Sequence, residues 1–125
     1  MWKPNRNDRR TSGQAAEDAA RRHLGARGLK VIRRNYQTRR GEIDLVMRDG
    51  DTLVFVEVRS RGRGAMVSPA ESVDARKQRL LIAAAEHFVT RHPRLADRPT
   101  RFDVVAIDTA ADPPAIRWIR DAFGL

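Results

Sequence analysis

The chain has 125 residues, enough for one domain with a single core, and its 41% apolar content argues against wholesale disorder. It contains no cysteine, which excludes disulfides and thiolate metal sites. Its apolar runs are far shorter than the ~18 residues of a membrane span, and the charged start leads to no signal-peptide core. We therefore predict a soluble cytoplasmic protein that does not act at a membrane.

The formal net charge is +9, and it is unevenly distributed. Residues 1–40 contain twelve Lys or Arg and three acids, whereas residues 41–125 contain thirteen of each. This one-sided basicity favours phosphate binding, although an anionic membrane or solubility alone would also account for it. We expect nucleic acid to be the partner.

The N-terminal part of the chain is predicted to be a tail followed by a helix. Residues 1–10 form a disordered basic tail in this interpretation, and residues 11–125 form one domain. Thr11 and Gln14 match a capping box, which predicts a helix to about Arg27. A first strand is predicted from Leu29 to Tyr36, and a polar loop with two candidate nucleic-acid-binding residues follows it, Arg39 and Arg40.

A hairpin is predicted around Asp49-Gly50, the dipeptide that most strongly indicates a two-residue turn. Its strands would be residues 41–47 and 53–59. The predicted pairs are Arg48 with Asp51, Val46 with Leu53, Asp44 with Phe55 and Glu42 with Glu57. One face would be a core side made of Ile43, Leu45, Met47, Thr52, Val54, Val56 and Val58.

Acidic residues occur among the apolar positions of this hairpin, on its other face. In the predicted register Asp44 and Glu57 are diagonal neighbours with Cβ atoms about 7–8 Å apart, so their carboxylates could share a hard cation. A one-residue slip would separate them onto opposite faces. The alternative is a hairpin whose charged end is simply solvated.

The C-terminal half predicts a loop, a helix and two strands. The loop carries Arg61 and Arg63, which could approach phosphates or merely connect the neighbouring elements. Ser68-Pro69-Ala70-Glu71 matches a helix start, and the helix should end near Arg91. Lys77 falls inside the apolar stripe of this helix, where it either snorkels to the rim or points toward the hairpin carboxylates. The later strands are predicted at residues 101–108 and 115–120. The three histidines, His23, His87 and His92, lack metal-ligand spacing and are interpreted as surface residues.

Four motifs in order resemble the YraN-like family of small bacterial proteins, which is similar to Holliday-junction resolvases and other nucleases of the PD-(D/E)xK type. They are Gly41-Glu42-Ile43-Asp44-Leu45-Val46, Val54-Phe55-Val56-Glu57-Val58-Arg59-Ser60-Arg61, Lys77, and Arg101-Phe102-Asp103-Val104-Val105. The resemblance implies an α/β fold with a restriction-endonuclease-like αβββαβ core, in which a central mixed sheet is flanked by helices.

The resemblance also implies roles for particular residues. Asp44 and Glu57 would bind Mg²⁺, or Mn²⁺ in its place, Arg59 would contact the reacting phosphate, and Glu17 would complete the site. Glu42, as a further metal ligand, and Lys77 are accessories in this assignment. Arg59 departs from the lysine that usually ends the motif, and arginine can stabilise charge but cannot act as a base.

The predicted function is metal-assisted hydrolysis of phosphodiester bonds in DNA, branched DNA included, and a two-fold substrate would call for a homodimer. The main alternative is a binding module with a nuclease-like fold that does not cut. The Arg59 substitution favours that alternative, whereas the retained acids disfavour it because they repel phosphate unless a metal intervenes. A protein-interaction domain that docks through Trp118 and Phe123 is a third alternative.

Overall fold

The computed structural model describes residues 4–61, 73–108 and 111–124, with backbone alone for residues 4–12 and 61. Within these residues, two helices and five strands follow one another along the chain. They are α1 (Pro4–Gly25), β1 (Lys30–Gln37), β2 (Glu42–Asp49), β3 (Thr52–Arg61), α2 (Ala75–Arg91), β4 (Thr100–Asp108) and β5 (Ala115–Phe123). A short 3-10 helix, Pro93–Leu95, follows α2. The predicted αβββαβ order is confirmed, and β5 corresponds to the last predicted strand, at residues 115–120.

The five strands form one mixed sheet in the order β1-β2-β3-β4-β5. Strands β3 and β4 are parallel, and the other neighbouring pairs are antiparallel. The parallel pair needs a crossover connection, and α2 lies within it. No helix among the described residues is long and apolar enough to cross a membrane.

Each helix covers one face of the sheet. Ala16, Ala20 and Leu24 recur every four residues along α1, so they form a stripe that packs on one apolar cluster of the sheet. Leu81 and Phe88 of α2 pack on the other cluster, which contains three more aromatic residues, Tyr36, Phe55 and Phe102. The predicted arrangement, a central mixed sheet flanked by helices, is therefore confirmed.

Both helices begin elsewhere than the sequence patterns predicted. Helix α1 covers Pro4–Gly25, so Thr11 lies inside it and residues 4–10 of the predicted disordered tail are helical. Helix α2 begins at Ala75, because the Asp74 side chain accepts the Lys77 backbone N–H at 2.8 Å. The predicted start at residues 68–71 lies outside the described residues.

The hairpin turn lies one residue later than predicted. Asp49 pairs with Thr52 and Val46 with Phe55, so the two turn residues are Gly50 and Asp51. Gly50 has a φ of +59°, which fits the first central position of a type II′ turn, the position that favours glycine. The predicted register was therefore wrong by two residues, and an even shift preserves the face of each side chain.

The alternation of β2 breaks at Asp44. Leu45 and Met47 share one face as predicted, in the cluster that α1 covers, but Ile43 belongs to the cluster that α2 covers. The prediction that these three residues share a face was wrong for Ile43. The facing strand is also irregular here, because Asn35 has a left-handed φ of 53°. Asp44 therefore lies where the regular pleat ends.

A buried ion pair between Arg101 and Asp103 on β4 connects this strand to β2 and to β5. The fully buried Asp103 carboxylate accepts hydrogen bonds from Arg101 Nε at 3.0 Å, from Trp118 Nε1 at 2.9 Å and from the Asp121 backbone N–H at 2.9 Å. Arg101 also contacts Asp49 at 3.0 Å. Because Trp118 donates to this buried acid, its indole has a structural role in the fold.

Candidate metal and phosphate site

Asp44 is at the centre of the candidate site. The regular β2–β3 ladder ends at Leu45 and Val56, and beyond that point Asp44 Oδ2 accepts the Val58 backbone N–H at 2.8 Å. The Asp44 side chain thus takes the place of the backbone carbonyl that would accept this hydrogen bond in a regular ladder. Burial raises the pKa of the Asp44 carboxyl, and this outweighs the lowering effect of the Val58 hydrogen bond.

Glu57 lies next to Asp44 and is buried among charged groups. Its Oε2 atom lies 3.1 Å from Arg59 Nε and 3.8 Å from Lys77 Nζ, and its side chain is only 8% exposed. Burial and the Asp44 charge raise the pKa of Glu57 to about 7, despite the opposing effect of the two cations. The acid therefore changes charge near neutral pH.

Lys77 lies in the first turn of α2 and points its ammonium toward the sheet. Of the two placements open from sequence, the snorkelling lysine and the lysine facing the carboxylates, the contact with Glu57 corresponds to the second. Arg59 Nε is buried and close to Glu57, but the contact lacks the geometry of a hydrogen bond. Two cations therefore flank one carboxylate, and the donor capacity of Arg59 Nε is not used by the described residues.

Glu17 approaches Asp44 from α1. Its neighbours Ala16 and Ala20 are buried against the sheet, which fixes this face of the helix toward β2. Burial, followed by the charge of Asp44, raises the pKa of Glu17 to about 7, and a hydrogen bond with Asn35 lowers it in part. Among the described residues, no donor reaches Glu17 Oε1, which is buried.

Three carboxylates are close enough to hold one cation. Carboxylate oxygens of Glu17, Glu42 and Asp44 all lie within 4.8 Å of one another. Oxygen ligands suit a hard cation such as Mg²⁺ or Mn²⁺, and a cation would also satisfy the buried Glu17 Oε1. The residues present therefore fit a divalent metal. Two of the three predicted ligands, Glu42 and Asp44, are in this grouping together with Glu17, and the third, Glu57, contacts Lys77 and Arg59 beside it.

The predicted nucleic-acid-binding arginines are only partly described. Arg39 and Arg40 are exposed on the turn between β1 and β2. The side chain of Arg61 and the whole of Arg63 lie outside the described residues. Sequence reasoning missed His87, whose Nδ1 lies 2.6 Å from the Tyr36 hydroxyl, because the two residues are 51 positions apart. It also missed Asn35, although an asparagine inside a strand is a signal for left-handed backbone.

The fold and the site define a class: a small α/β protein in which acidic side chains from a helix and two strands converge beside two basic side chains, Arg59 and Lys77. The family model of the uncharacterised protein family UPF0102 matches residues 16–107 of the chain. The chain belongs to this family, which is the YraN-like family that its motifs predicted.

Relatives in several bacteria match nearly the whole chain. The chain is 50% identical over 120 residues to a UPF0102 protein of Pseudomonas aeruginosa strain LESB58, covering 94% of this chain and 96% of the relative. It is 53% identical over 111 residues to one of Ectopseudomonas mendocina strain ymp, covering 89% and 92%. A UPF0102 protein of Xanthomonas campestris pv. campestris strain B100 is 50% identical over 117 residues, covering 94% of each chain.

Proposed function

We propose that the protein is a divalent-metal-dependent endonuclease that hydrolyses phosphodiester bonds in DNA, branched DNA included. The observation that carries the proposal is the convergence on Asp44: Glu17 and Glu42 approach it within 4.8 Å, while Glu57, Lys77 and Arg59 form a charged cluster beside it. Clustered carboxylates with raised pKa values are costly for a fold, and they are characteristic of functional sites.

Glu17, Glu42 and Asp44 would hold the cation, which is Mg²⁺ or Mn²⁺ in this proposal. When bound, the cation supplies Lewis acidity toward the scissile phosphate and lowers the pKa of a nearby water. Asp44 is fixed by the Val58 N–H, so the ligand set needs little reorganisation.

Arg59 and Lys77 have different roles in this proposal. The guanidinium of Arg59 can hold a phosphate oxygen and stabilise the charge that develops on it. Lys77 is the only amine described at the site and contacts Glu57 at 3.8 Å. An amine can exchange a proton where a guanidinium cannot, so the Lys77–Glu57 pair is the proposed place for proton transfer to or from the attacking water.

A second candidate is a nucleic-acid-binding module of the same fold that does not cut. The observation that favours it is the contact of Glu57 with two cations, because a carboxylate that is already compensated has less need of a metal. The two candidates differ in their metal dependence, which binding experiments can measure without a known substrate.

Calorimetric titration with Mn²⁺ tests the proposal at its first step. We expect one site on the wild-type protein, a loss of affinity of at least tenfold in Glu17→Gln, and a smaller loss in Glu57→Gln. Asp97→Asn is the matched control, because Asp97 is exposed and lies outside the cluster. Absence of Mn²⁺ binding to the wild-type protein would favour the non-cutting module.

A further inference from the structure

A groove of about 420 Å³ lies between the β1–β2 turn and the C-terminal half of α2. Arg39 and Arg40 line it from the turn, and Glu86, His87 and Thr90 line it from the helix. The turn leads directly into Glu42, so the groove and the acid cluster are at the same end of the sheet. The catalytic proposal above uses neither His87 nor Thr90.

The turn that carries the two arginines is held in place by its own hydrogen bonds. Thr38 Oγ1 accepts the backbone N–H groups of Arg40 and Gly41, each at 3.1 Å. Gly41 lies against α2 so closely that a Cβ atom there would be 3.1 Å from the Leu80 carbonyl oxygen. The guanidinium groups therefore extend from a fixed backbone beside the helix, which lowers the entropic cost of binding a ligand.

His87 is oriented by a buried tyrosine. The Tyr36 hydroxyl lies 2.6 Å from His87 Nδ1, and the Tyr36 ring packs edge-on against Phe88. When the hydroxyl donates this hydrogen bond, the neutral imidazole carries its proton on Nε2. His87 is exposed, so Nε2–H is the donor that the ring offers to a ligand in the groove.

The charges of the groove suit an anion. Among the described residues, neither Arg39 nor Arg40 takes part in an ion pair, and Glu86 is the one acid that lines the groove. Two guanidinium groups and an imidazole N–H match the oxygens of a phosphodiester, whereas the Thr90 hydroxyl already donates to the Glu86 carbonyl oxygen at 2.8 Å. An anion in the groove would supply acceptors for the guanidinium and imidazole donors.

We propose that this groove binds a non-scissile phosphate of the DNA strand whose scissile phosphate lies at the acid cluster. The inference rests on the proposed function and adds a second point of contact between the protein and the DNA. His87 follows Lys77 by ten residues on α2, which corresponds to about 15 Å along the helix axis. This separation is much larger than the ~3.4 Å rise of one nucleotide in a B-form strand, so the groove phosphate is a different one from the phosphate at the bond to be cut.

Fluorescence anisotropy with a labelled DNA duplex tests the groove, with Asp44→Asn as the parent protein so that cutting does not interfere. We expect His87→Gln to weaken binding about threefold to tenfold and Glu86→Gln to strengthen it about twofold to threefold, because each changes one interaction with a phosphate. His23→Gln is the matched control on α1 and should leave the dissociation constant unchanged. Thermal melting of each variant checks the fold.

The outcomes separate the two proposals. If the parent protein binds the duplex and His87→Gln binds it as tightly as His23→Gln does, the groove proposal is wrong and the nuclease proposal stands. If Glu86→Gln weakens binding, the assignment of a phosphate to the groove is also overturned. If the parent protein binds no duplex, single strand or four-way junction even at low salt, both proposals fail.

Discussion

The Asp44 carboxylate accepts a hydrogen bond from the backbone N–H of Val58, with 2.8 Å between Oδ2 and N. The contact joins β2 to β3 at the point where their regular ladder has ended. Because Val58 lies between Glu57 and Arg59, this one bond sets the position of Asp44 relative to both. The sheet backbone therefore fixes the geometry of the site.

The two obvious Asp44 variants should differ in stability because of this bond. Asparagine keeps an oxygen that can accept the Val58 N–H, so Asp44→Asn should unfold at a urea concentration equal to or above that of the wild-type protein at pH 8. Alanine leaves the N–H without its acceptor, so Asp44→Ala should lose about 1–2 kcal/mol relative to Asp44→Asn. Equal stabilities of the two variants would show that the hydrogen bond contributes little.

The stability of the metal-free protein should fall as the pH rises from 5 to 8. The pKa of Glu57 is raised from 4.5 to about 7 by burial and by Asp44, so the folded state favours the protonated acid. The stabilisation that protonated Glu57 gives to the folded state is complete below pH 4.5, and it is lost as the pH rises through about 7. For Glu57 it amounts to about 1–3 kcal/mol.

Urea unfolding in EDTA at several pH values measures the effect. Glu57→Gln should flatten the profile, because the amide does not ionise. Glu17 has a pKa that is also raised to about 7, so Glu17→Gln should flatten it further. A wild-type profile that rises between pH 5 and pH 8 would contradict the electrostatic description of the cluster.

Arg59→Lys should increase Mg²⁺-dependent cleavage of DNA. It introduces the lysine that usually ends the PD-(D/E)xK motif, which the sequence resembles, without changing the formal charge, and lysine can exchange a proton where arginine cannot. Rates would be compared on linear duplex, single-stranded and branched substrates. Lys77→Gln provides the complementary variant, since it removes the amine near Glu57 and should lower the rate. Absence of cleavage by both the wild-type and the Arg59→Lys proteins would favour the non-cutting module.

Asp103→Ala should destabilise the fold strongly and leave the acid cluster intact. The buried carboxylate accepts from Arg101, Trp118 and the Asp121 N–H, so its removal leaves a half-buried cation and two further donors without their partner. We expect a loss of about 3–5 kcal/mol in urea unfolding. Asp97→Ala removes an exposed acid, so it should change the free energy of unfolding by less than about 0.5 kcal/mol. A small effect of Asp103→Ala would show that the groups around Asp103 rearrange or that water enters the space left by the carboxylate.

Local patterns in the sequence were enough to predict the element order and the acidic hairpin. The period-two alternation correctly predicts that Val54 and Val56 share a core face, whereas the Asp49-Gly50 dipeptide predicts a turn one residue too early. The side of Ile43 could not be predicted from β2 alone, because the break in alternation lies beside two features of neighbouring strands, the left-handed Asn35 and the Val58 N–H that Asp44 accepts. These contacts arise only when the sheet forms.

Contacts between distant segments explain the remaining differences at the site. The resemblance included Glu17, but its approach to Glu42 and Asp44 depends on how α1 packs on the sheet. The hydrogen bond between Tyr36 and His87 joins a strand to a helix that lies beyond two further strands in the chain. No spacing rule connects such residues, so the sequence indicates only a surface position for His87, which is exposed.

The most direct test is a cleavage assay in which the wild-type protein and Asp44→Asn, purified in parallel, act on labelled four-way-junction and duplex DNA with Mn²⁺ or with EDTA. The account predicts cleavage by the wild-type protein in Mn²⁺ alone and a loss of at least a hundredfold in Asp44→Asn, because that variant removes a charged ligand while retaining the acceptor for Val58. Cleavage that persists in EDTA, or that Asp44→Asn leaves unchanged, would contradict it.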